Sequence, residues 1–385
     1  MKVLLLQKMA GISGSERYFL SILPELHRRG VDATFLVVQH PSNAERNLAF
    51  VAELQAAGVP VHIMHSRLSI SPWLILRLER FIKQHRFDVI QSNLIHADVW
   101  GACVKRFFIP TLRLLSVKHG YSESYQTSFG LNPDYLKRDQ MSILTRWAGH
   151  YADRVVCISS ALESFLVRGK LIEASKAMAI PYGFDFSNTP AIVKNGEVRF
   201  GSPQILVAGR VVPVKQHHLL IRVLPELVRE FPNLSVVMVG AGPLLVELKR
   251  STDALGLSAH VYWEGFRRNM HDYIRDSDIM VIPSAAEGFG LVVLEAWYHS
   301  KPVVAFDVPA INEIIESGVD GELVEPFDTD KLLISLRKLL SAPERLRILG
   351  TAGKKKQIEK YGIAMMTERM IAVMQQLNVM SNTGQ

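Results

Sequence analysis

The stretch Pro283-Ser284-Ala285-Ala286-Glu287-Gly288-Phe289-Gly290-Leu291-Val292-Val293-Leu294-Glu295 decides how the chain is organised. Ahead of it, Asp278 through Ile282 reads as a short apolar strand, and Leu291 to Tyr298 carries apolar residues at helical spacing, so the glycines fall on the turn between them. A helix N-terminus therefore follows Gly290. It offers free backbone N–H groups and the positive end of the helix dipole to an anion, and glycine lets a phosphate come close to the backbone. Glu287 and Glu295 flank that position. A carboxylate beside a diphosphate repels it, so the two glutamates are expected to accept hydrogen bonds from hydroxyls near the phosphates, on a sugar and a ribose. The bland alternative, a solvated loop residue and an exposed helix residue, leaves the Pro-Ser lead-in and the Gly-Phe-Gly turn unexplained.

The surrounding chain has 385 residues, 48% of them apolar, which suffices for two or three well-filled domains. Lys2 to Lys8 begins like a signal peptide, but its apolar run is too short and it reads as a first buried strand. No uncharged apolar run approaches the ~18 residues of a membrane span. Cys103 and Cys157 are far apart and outside any paired motif, which argues against a disulfide framework or a zinc site and for a reducing, cytoplasmic setting. Residues 1–195 hold 23 Lys and Arg against 15 Asp and Glu, whereas residues 196–385 hold 21 against 22. The first half is thus expected to meet the anionic partner, a phosphate-bearing substrate or an anionic membrane surface.

Strands are expected at 3–6, 33–38, 61–64, 89–91 and 112–117, with helices after Ser15 and at 47–57, 72–85 and 96–106. That alternation implies a parallel sheet covered on both faces. Gly11-Ile12-Ser13-Gly14-Ser15-Glu16 reads as a loop capped by Ser13 or Ser15. His119 follows the strand ending at Val117, at the edge where parallel sheets place ligands. Tyr121 to Tyr135, polar and glycine-bearing, reads as a mobile loop. Trp73, Arg77, Arg80, Phe81 and Lys83 on one helix, with Lys105, Arg106, Phe107 and Phe108 ending another, are candidate membrane contacts.

The boundary is expected at Ser187 to Pro203, after which strand, loop, helix and strand begin again. Leu23-Pro24-Glu25-Leu26 returns as Leu224-Pro225-Glu226-Leu227, and each proline should kink its helix. Gly209-Arg210 ends the first strand of this half and Lys215 opens the following helix, converging cations on the edge where the Gly288 turn also points. Gly240-Ala241-Gly242 mimics a dinucleotide fingerprint but has Leu245 where the third glycine belongs, so no nicotinamide cofactor is expected. Asp276-Ser277-Asp278 and Asp328-Thr329-Asp330 spell Asp-x-Asp, but such tripeptides arise easily, and no metal site is expected. The chain after Val379 is expected to be disordered.

On these residues the chain resembles the group 1 family of retaining glycosyltransferases, most strongly from Ile205 to Val324, through Glu287-(x7)-Glu295, Gly209-Arg210 with Lys215, Pro283-Ser284 and Gly14-Ser15-Glu16. The resemblance implies an α/β GT-B fold: two facing Rossmann-like domains, doubly wound parallel sheets with a cleft between them. Their expected extents are 1–190 for the acceptor and 191–360 for the nucleotide sugar, with a C-terminal helix at 361–385 crossing back. It implies that Arg210 and Lys215 bind the donor diphosphate, that Glu287 with the backbone of Gly288, Phe289, Gly290 and Leu291 holds the sugar, that Glu295 holds the ribose, and that Gly14 borders the donor. His119 would lie by the reacting centre. The implied reaction moves a hexose-type sugar from a UDP or GDP donor, without a cofactor, to a glycan or lipid-linked acceptor in bacterial surface polysaccharide or glycolipid synthesis. The expected location is cytoplasmic, either free or peripheral on the inner face of the cell membrane, with no nucleic acid as partner. Two departures touch the site: Ser13-Gly14 stands where the family has Gly-Gly, and Tyr182 where it has Asn before Gly183. A sugar-nucleotide epimerase of the same fold, or a non-catalytic sugar-nucleotide-binding module, are the alternatives.

Overall fold

The computed structural model describes residues 1–9, 14–186, 198–267 and 269–382. Its contacts divide the chain into one unit of Met1–Ser122, Asn132–Phe184 and Gly362–Gln385 and a second of Glu123–Leu131 and Asp185–Tyr361. In the first unit the strands are β1 (Lys2–Met9), β2 (Asp32–Gln39), β3 (Val61–His65), β4 (Val89–Asn93), β5 (Arg113–Lys118), β6 (Arg154–Cys157) and β7 (Ala177–Ala179). They form one sheet of order β3-β2-β1-β4-β5-β6-β7, every pair parallel. The second unit holds β8 (Gln204–Ala208), β9 (Ser235–Val239), β10 (Val261–Gly265), β11 (Ile279–Ile282), β12 (Val303–Phe306) and β13 (Glu322–Val324), in the all-parallel order β10-β9-β8-β11-β12-β13. β4, β9, β11 and β12 are buried at every residue, as strands covered on both faces must be.

Strand order reverses between β1 and β4 in the first sheet and between β8 and β11 in the second, and ligands of open parallel sheets gather at the carboxyl ends beside such reversals. The helices in question are α1 (Gly14–Arg28), α2 (Ala44–Ala56), α3 (Pro72–His85), α4 (Leu94–Phe107), α5 (Glu123–Phe129), α6 (Gln140–Tyr151) and α7 (Ser160–Arg168). Those of the later chain are α8 (His217–Glu230), α9 (Leu245–Ala254), α10 (Met270–Arg275), α11 (Leu291–Tyr298), α12 (Ile311–Ile314), α13 (Thr329–Leu340), α14 (Pro343–Lys360) and α15 (Ile363–Asn382). Pro24 and Pro225 lie inside α1 and α8, and both helices run on through them. Among the largest fully buried side chains are Trp100, Phe19, Phe35 and Phe50 in the first unit and Trp297 and Phe306 in the second.

Two expectations need correction. The segment 121–135 is not a loop throughout: α5 and a short 3-10 turn at Pro133–Tyr135 occupy it, because Tyr125 and Phe129, four apart, bring their rings to 5.2 Å on one helical face. The C-terminal helix does not stop at Val379, since α15 continues to Asn382 while packing on α1, β4 and β5. The candidate membrane contacts lie on two helices of the first unit, α3 and the end of α4. Trp73 begins α3, after the carboxyl end of β3, whereas Phe107 ends α4, where the chain turns toward the amino end of β5, and Lys105 is held by Asp153 at 2.6 Å. The first part of the expected boundary (187–197) and the loop residues Gly11, Ile12 and Ser13 lie outside the described residues.

Candidate active site

In the second unit the loops after β8 and β11 are laced together. Ala285 N donates to Val214 O at 2.8 Å, which fixes the Pro213–Lys215 3-10 turn against the segment leading to Glu287, while Gly209 N donates to Val239 O, at the end of β9, at 3.0 Å. Lys215 is therefore the last residue of that turn, two positions before α8, rather than the first residue of the helix. Its Nζ donates to Glu287 Oε1 at 2.5 Å, with side-chain exposures of 20% and 11%. Two residues 72 apart in sequence, assigned separately to phosphate and sugar, are thus one ion pair. Gly209 closes the strand side and Arg210 follows it, exposed.

Gly290 is the N-cap of α11, with φ of +101°, a backbone conformation that glycine adopts without strain. A Cβ there would also lie 2.5 Å from Ile311 Cδ1. Phe289, 4% exposed, stacks edge-on against Tyr361 at 6.1 Å and pins the turn to the unit. The turn leaves the α11 N-terminus beside Glu287, and Glu295, one turn further in, is only 2% exposed. A carboxylate is costly to bury without partners, so Glu295 is not the exposed helix residue of the bland alternative. The last member of this cluster is His217, the first residue of α8. Burial, then the charges of Lys215 and His218, push its pKa down to about 4, and its Nδ1 has no partner among the described residues.

In the first unit His119 stands at the end of β5, where Tyr182 Oη reaches its Nδ1 and its Nε2 lies 3.0 Å from Asn93 Oδ1. Burial, then the charge of Lys118, pushes its pKa down to about 3, so the ring is neutral. Asn93 Oδ1 also accepts from Gln91 Nε2 at 3.2 Å. An amide oxygen only accepts, so His119 donates Nε2–H to Asn93 and its bare Nδ1 takes the Tyr182 proton. Burial raises the Tyr182 pKa, so the phenol keeps that proton. Tyr18 packs edge-on to His119 at 5.2 Å and receives a hydrogen bond from Gln91 at 3.1 Å. The cation next to His119, Lys118, is buried and bonded to Asp98 at 2.5 Å, a carboxylate that also accepts from Ser92 and Ser116. Gly14 begins α1, the helix that follows β1.

Arg210, Lys215, Glu287, the 288–291 turn and Glu295 are gathered on one edge of the second sheet, whereas His119 and Gly14 belong to the first unit. Asn93, Gln91 and Lys118 carried no motif in the sequence. Asn93 ends β4, beside the reversal in sheet order, Gln91 lies two residues before it on the same strand, and Lys118 ends the neighbouring β5, a proximity that exists only once the sheet is built. Both Asp-x-Asp tripeptides are occupied with local structure. Asp278 Oδ2 accepts from Arg199 at 2.6 Å and from Gln204 N at 2.7 Å, and Asp328 caps α13 by accepting from Lys331 N at 2.8 Å.

Residues 188–356 match the family described as glycosyl transferases group 1, and residues 12–188 match glycosyltransferase family 4. The chain is 25% identical to the alpha-D-kanosaminyltransferase of Streptomyces kanamyceticus over 93% of its own length and 98% of that protein's. It is also 25% identical, over 88% of each chain, to the lipopolysaccharide core biosynthesis glycosyltransferase LpsD of Rhizobium meliloti. Among solved structures, Anabaena HepE in complex with UDP and glucose superposes with a TM-score of 0.79 at 21% identity, over 98% of this chain and 100% of that one. The sucrose-phosphate synthase of Thermosynechococcus elongatus does so at 0.76 and 16% identity, over 98% and 99%. With two parallel-sheet units of the GT-B fold, and with matches running from residue 12 to residue 356, this chain belongs to the group 1 glycosyltransferases.

Proposed function

We propose that the chain is a retaining transferase that moves a hexose-type sugar from a nucleoside-diphosphate donor, held by residues 191–360, to a glycan or lipid-linked acceptor held by residues 1–190. The observation that carries this reading is the Lys215–Glu287 ion pair, set between the loops after β8 and β11 and beside the N-terminus of α11. An ammonium, a guanidinium at Arg210 and a helix N-terminus together suit the charge that grows on a leaving diphosphate. Glu287, paired with Lys215, suits sugar hydroxyls, and buried Glu295 suits the ribose. In the transfer, the acceptor hydroxyl oxygen bonds to the anomeric carbon on the face the leaving group vacates. The carbon–oxygen bond to the diphosphate breaks, and the hydroxyl proton passes to the departing phosphate oxygen. His119, neutral and with its one N–H committed to Asn93, takes no part as a base and orients groups at the reacting centre.

HepE, the neighbour named above, binds UDP and glucose, and an Escherichia coli relative, 21% identical over 68% of this chain, acts on a GlcNAc-diphosphoundecaprenol acceptor. Both support the reading. A titration of UDP, GDP and their hexose conjugates against the full chain tests it. One nucleoside diphosphate should bind, Lys215→Met should weaken it by about ten- to a hundredfold, and its release from the sugar conjugate should depend on added acceptor. Acceptor-independent conversion of the sugar would point to an epimerase instead.

No helix among the described residues is long and apolar enough to cross a membrane. A peripheral site on an anionic bilayer is proposed at Leu68, Ile70 and Trp73, exposed by 65%, 44% and 76%. Arg67, Arg77 and Arg80 surround them, and the one acid of residues 66–86, Glu79, is buried and paired with Lys83. Flotation with anionic but not neutral liposomes is expected, and Trp73→Ala should reduce it. Equal recovery with both lipids would refute the site.

A further inference from the structure

We propose that Lys8, with Ser69 and His96, seats a phosphate of the acceptor, between a pocket that takes its sugar and the surface that meets its lipid. The assignment rests on the transferase reading above and adds to it the charge and the layout of the acceptor. Lys8 lies on β1, one residue from its carboxyl end, beside β4 and at the reversal of strand order in the first sheet. Its Nζ donates to Ser69 Oγ at 2.6 Å and stands 3.4 Å from His96 Nε2. Among the described residues, no carboxylate comes within ion-pair distance of it.

The contrast with Lys118, on the same edge, is what makes Lys8 informative. Lys118 is buried against Asp98 and its charge is neutralised where it stands. Lys8 is partly buried, and no described carboxylate answers its charge. Burial lowers the pKa of Lys8, and burial together with Lys8 lowers that of His96, so the two do not repel as a pair of cations. An ammonium has three donors. Ser69 and a bare His96 Nε2 account for two, and the third is left for an anion.

What lies on either side identifies that anion. His96 lines a pocket of about 330 Å³ together with Leu94, Ile95, Lys118, His119 and Met141, a volume in the range of small-molecule sites. Leu94 holds a φ of +66°, strained for a branched side chain, and a backbone kept strained at a pocket fits a functional constraint. On the other side, Ser69 sits between the exposed Leu68 and Ile70, and its carbonyl is held by Trp100 Nε1 at 2.8 Å. Pocket, cation and apolar basic surface thus follow one another in the order sugar, phosphate, lipid.

The test titrates three probes into the full chain: dodecyl phosphate and dodecyl glucoside, both below their micellar concentrations, and glycerol phosphate. Wild-type protein should bind dodecyl phosphate at least tenfold more tightly than glycerol phosphate. Lys8→Met should weaken dodecyl phosphate at least tenfold and leave dodecyl glucoside and the nucleoside diphosphate unchanged, and Lys8→Arg should recover most of the loss. Wild-type affinity for dodecyl phosphate in Lys8→Met overturns the seat, and so does an equal loss for dodecyl glucoside. Equal wild-type affinity for glycerol phosphate and dodecyl phosphate overturns the lipid assignment. Nucleoside diphosphate binding is read separately at the second unit, so a protein that fails to bind it refutes the transferase reading without touching the Lys8 result.

Discussion

Glu287→Ala separates the two ends of the donor, and the ion pair gives the prediction a sign. Lys215 Nζ and Glu287 Oε1 are 2.5 Å apart, with both side chains at least four-fifths shielded. At an effective dielectric of about 20, charges that close attract by on the order of 5 kcal/mol, and desolvation offsets most of it. A net worth of about 1.5 to 3 kcal/mol remains, typical of a hydrogen bond between charged groups. A diphosphate arriving at Lys215 competes with Glu287 for the same ammonium. Removing Glu287 ends that competition, so the nucleoside diphosphate should bind Glu287→Ala no more weakly than wild type and up to about tenfold more tightly, which is 1.4 kcal/mol. Turnover should fall about ten- to a hundredfold, because a contact that aligns the anomeric carbon acts in the transition state. Glu295→Ala should behave oppositely, losing about ten- to a hundredfold in affinity for bare diphosphate and whole donor alike. Titration calorimetry of both variants, beside steady-state kinetics, checks the division. If Glu287→Ala loses nucleoside diphosphate affinity as badly as Glu295→Ala, the sugar and ribose ends are wrongly assigned.

Transfer is expected to need no divalent metal, so turnover should survive excess chelator, and complete loss restored by magnesium or manganese would revive the Asp-x-Asp tripeptides. The neutral His119 makes stability depend on pH with a defined sign. Its folded pKa, about 3, lies below the ordinary value of 6.5, so its contribution is full above pH 6.5 and is lost as the pH falls toward 3, when only the unfolded chain takes the proton. Between pH 6.5 and 4.5 that is about 2 kcal/mol, and His119→Asn should show a correspondingly shallower fall in urea midpoint, while identical slopes would refute the neutral ring. Gly290→Ala should cost about 1 to 3 kcal/mol, since φ is +101° and the new Cβ would press on Ile311. Unchanged thermal melting would show that the turn relaxes freely.

The parts of the fold legible in the sequence were those built from local periodicity. Leu291 to Tyr298 is helical over the very residues its spacing gave, and so is Pro72 to His85. What could not be read was set by contacts distant in sequence. α14 shows little amphipathic pattern because Gly350 and Gly353, which weaken a helix in isolation, are there for close packing on α11. A Cβ at Gly353 would fall 2.2 Å from the Trp297 ring. α5 was hidden by its polar residues, although it belongs to the second unit and packs on the Pro213–Lys215 turn. The candidate anion-binding residues could be picked out one at a time, from glycines and cations at expected strand ends. Their pairing could not, because Lys215 meets Glu287 only when β8 and β11 lie side by side.

Tyr182 shows how a departure from a family pattern is absorbed. An asparagine at that position is small and offers both a donor and an acceptor, whereas a phenol offers one proton and a large apolar face. Here the proton goes to His119 Nδ1 and the face lies against the rings of Tyr18 and Phe184, at 5.7 and 5.4 Å. The consequence is directional. With Nδ1 filled, the imidazole must present its single N–H through Nε2, toward Asn93, and desolvation keeps it from gaining a second. His119 is thus held as a fixed dipole and not as an acid or base, and a substrate hydroxyl can meet it only by displacing Asn93 or Tyr182. We propose that Tyr182 bears on which acceptor fits, because any hydroxyl competing for Nδ1 has to replace a hydrogen bond already made.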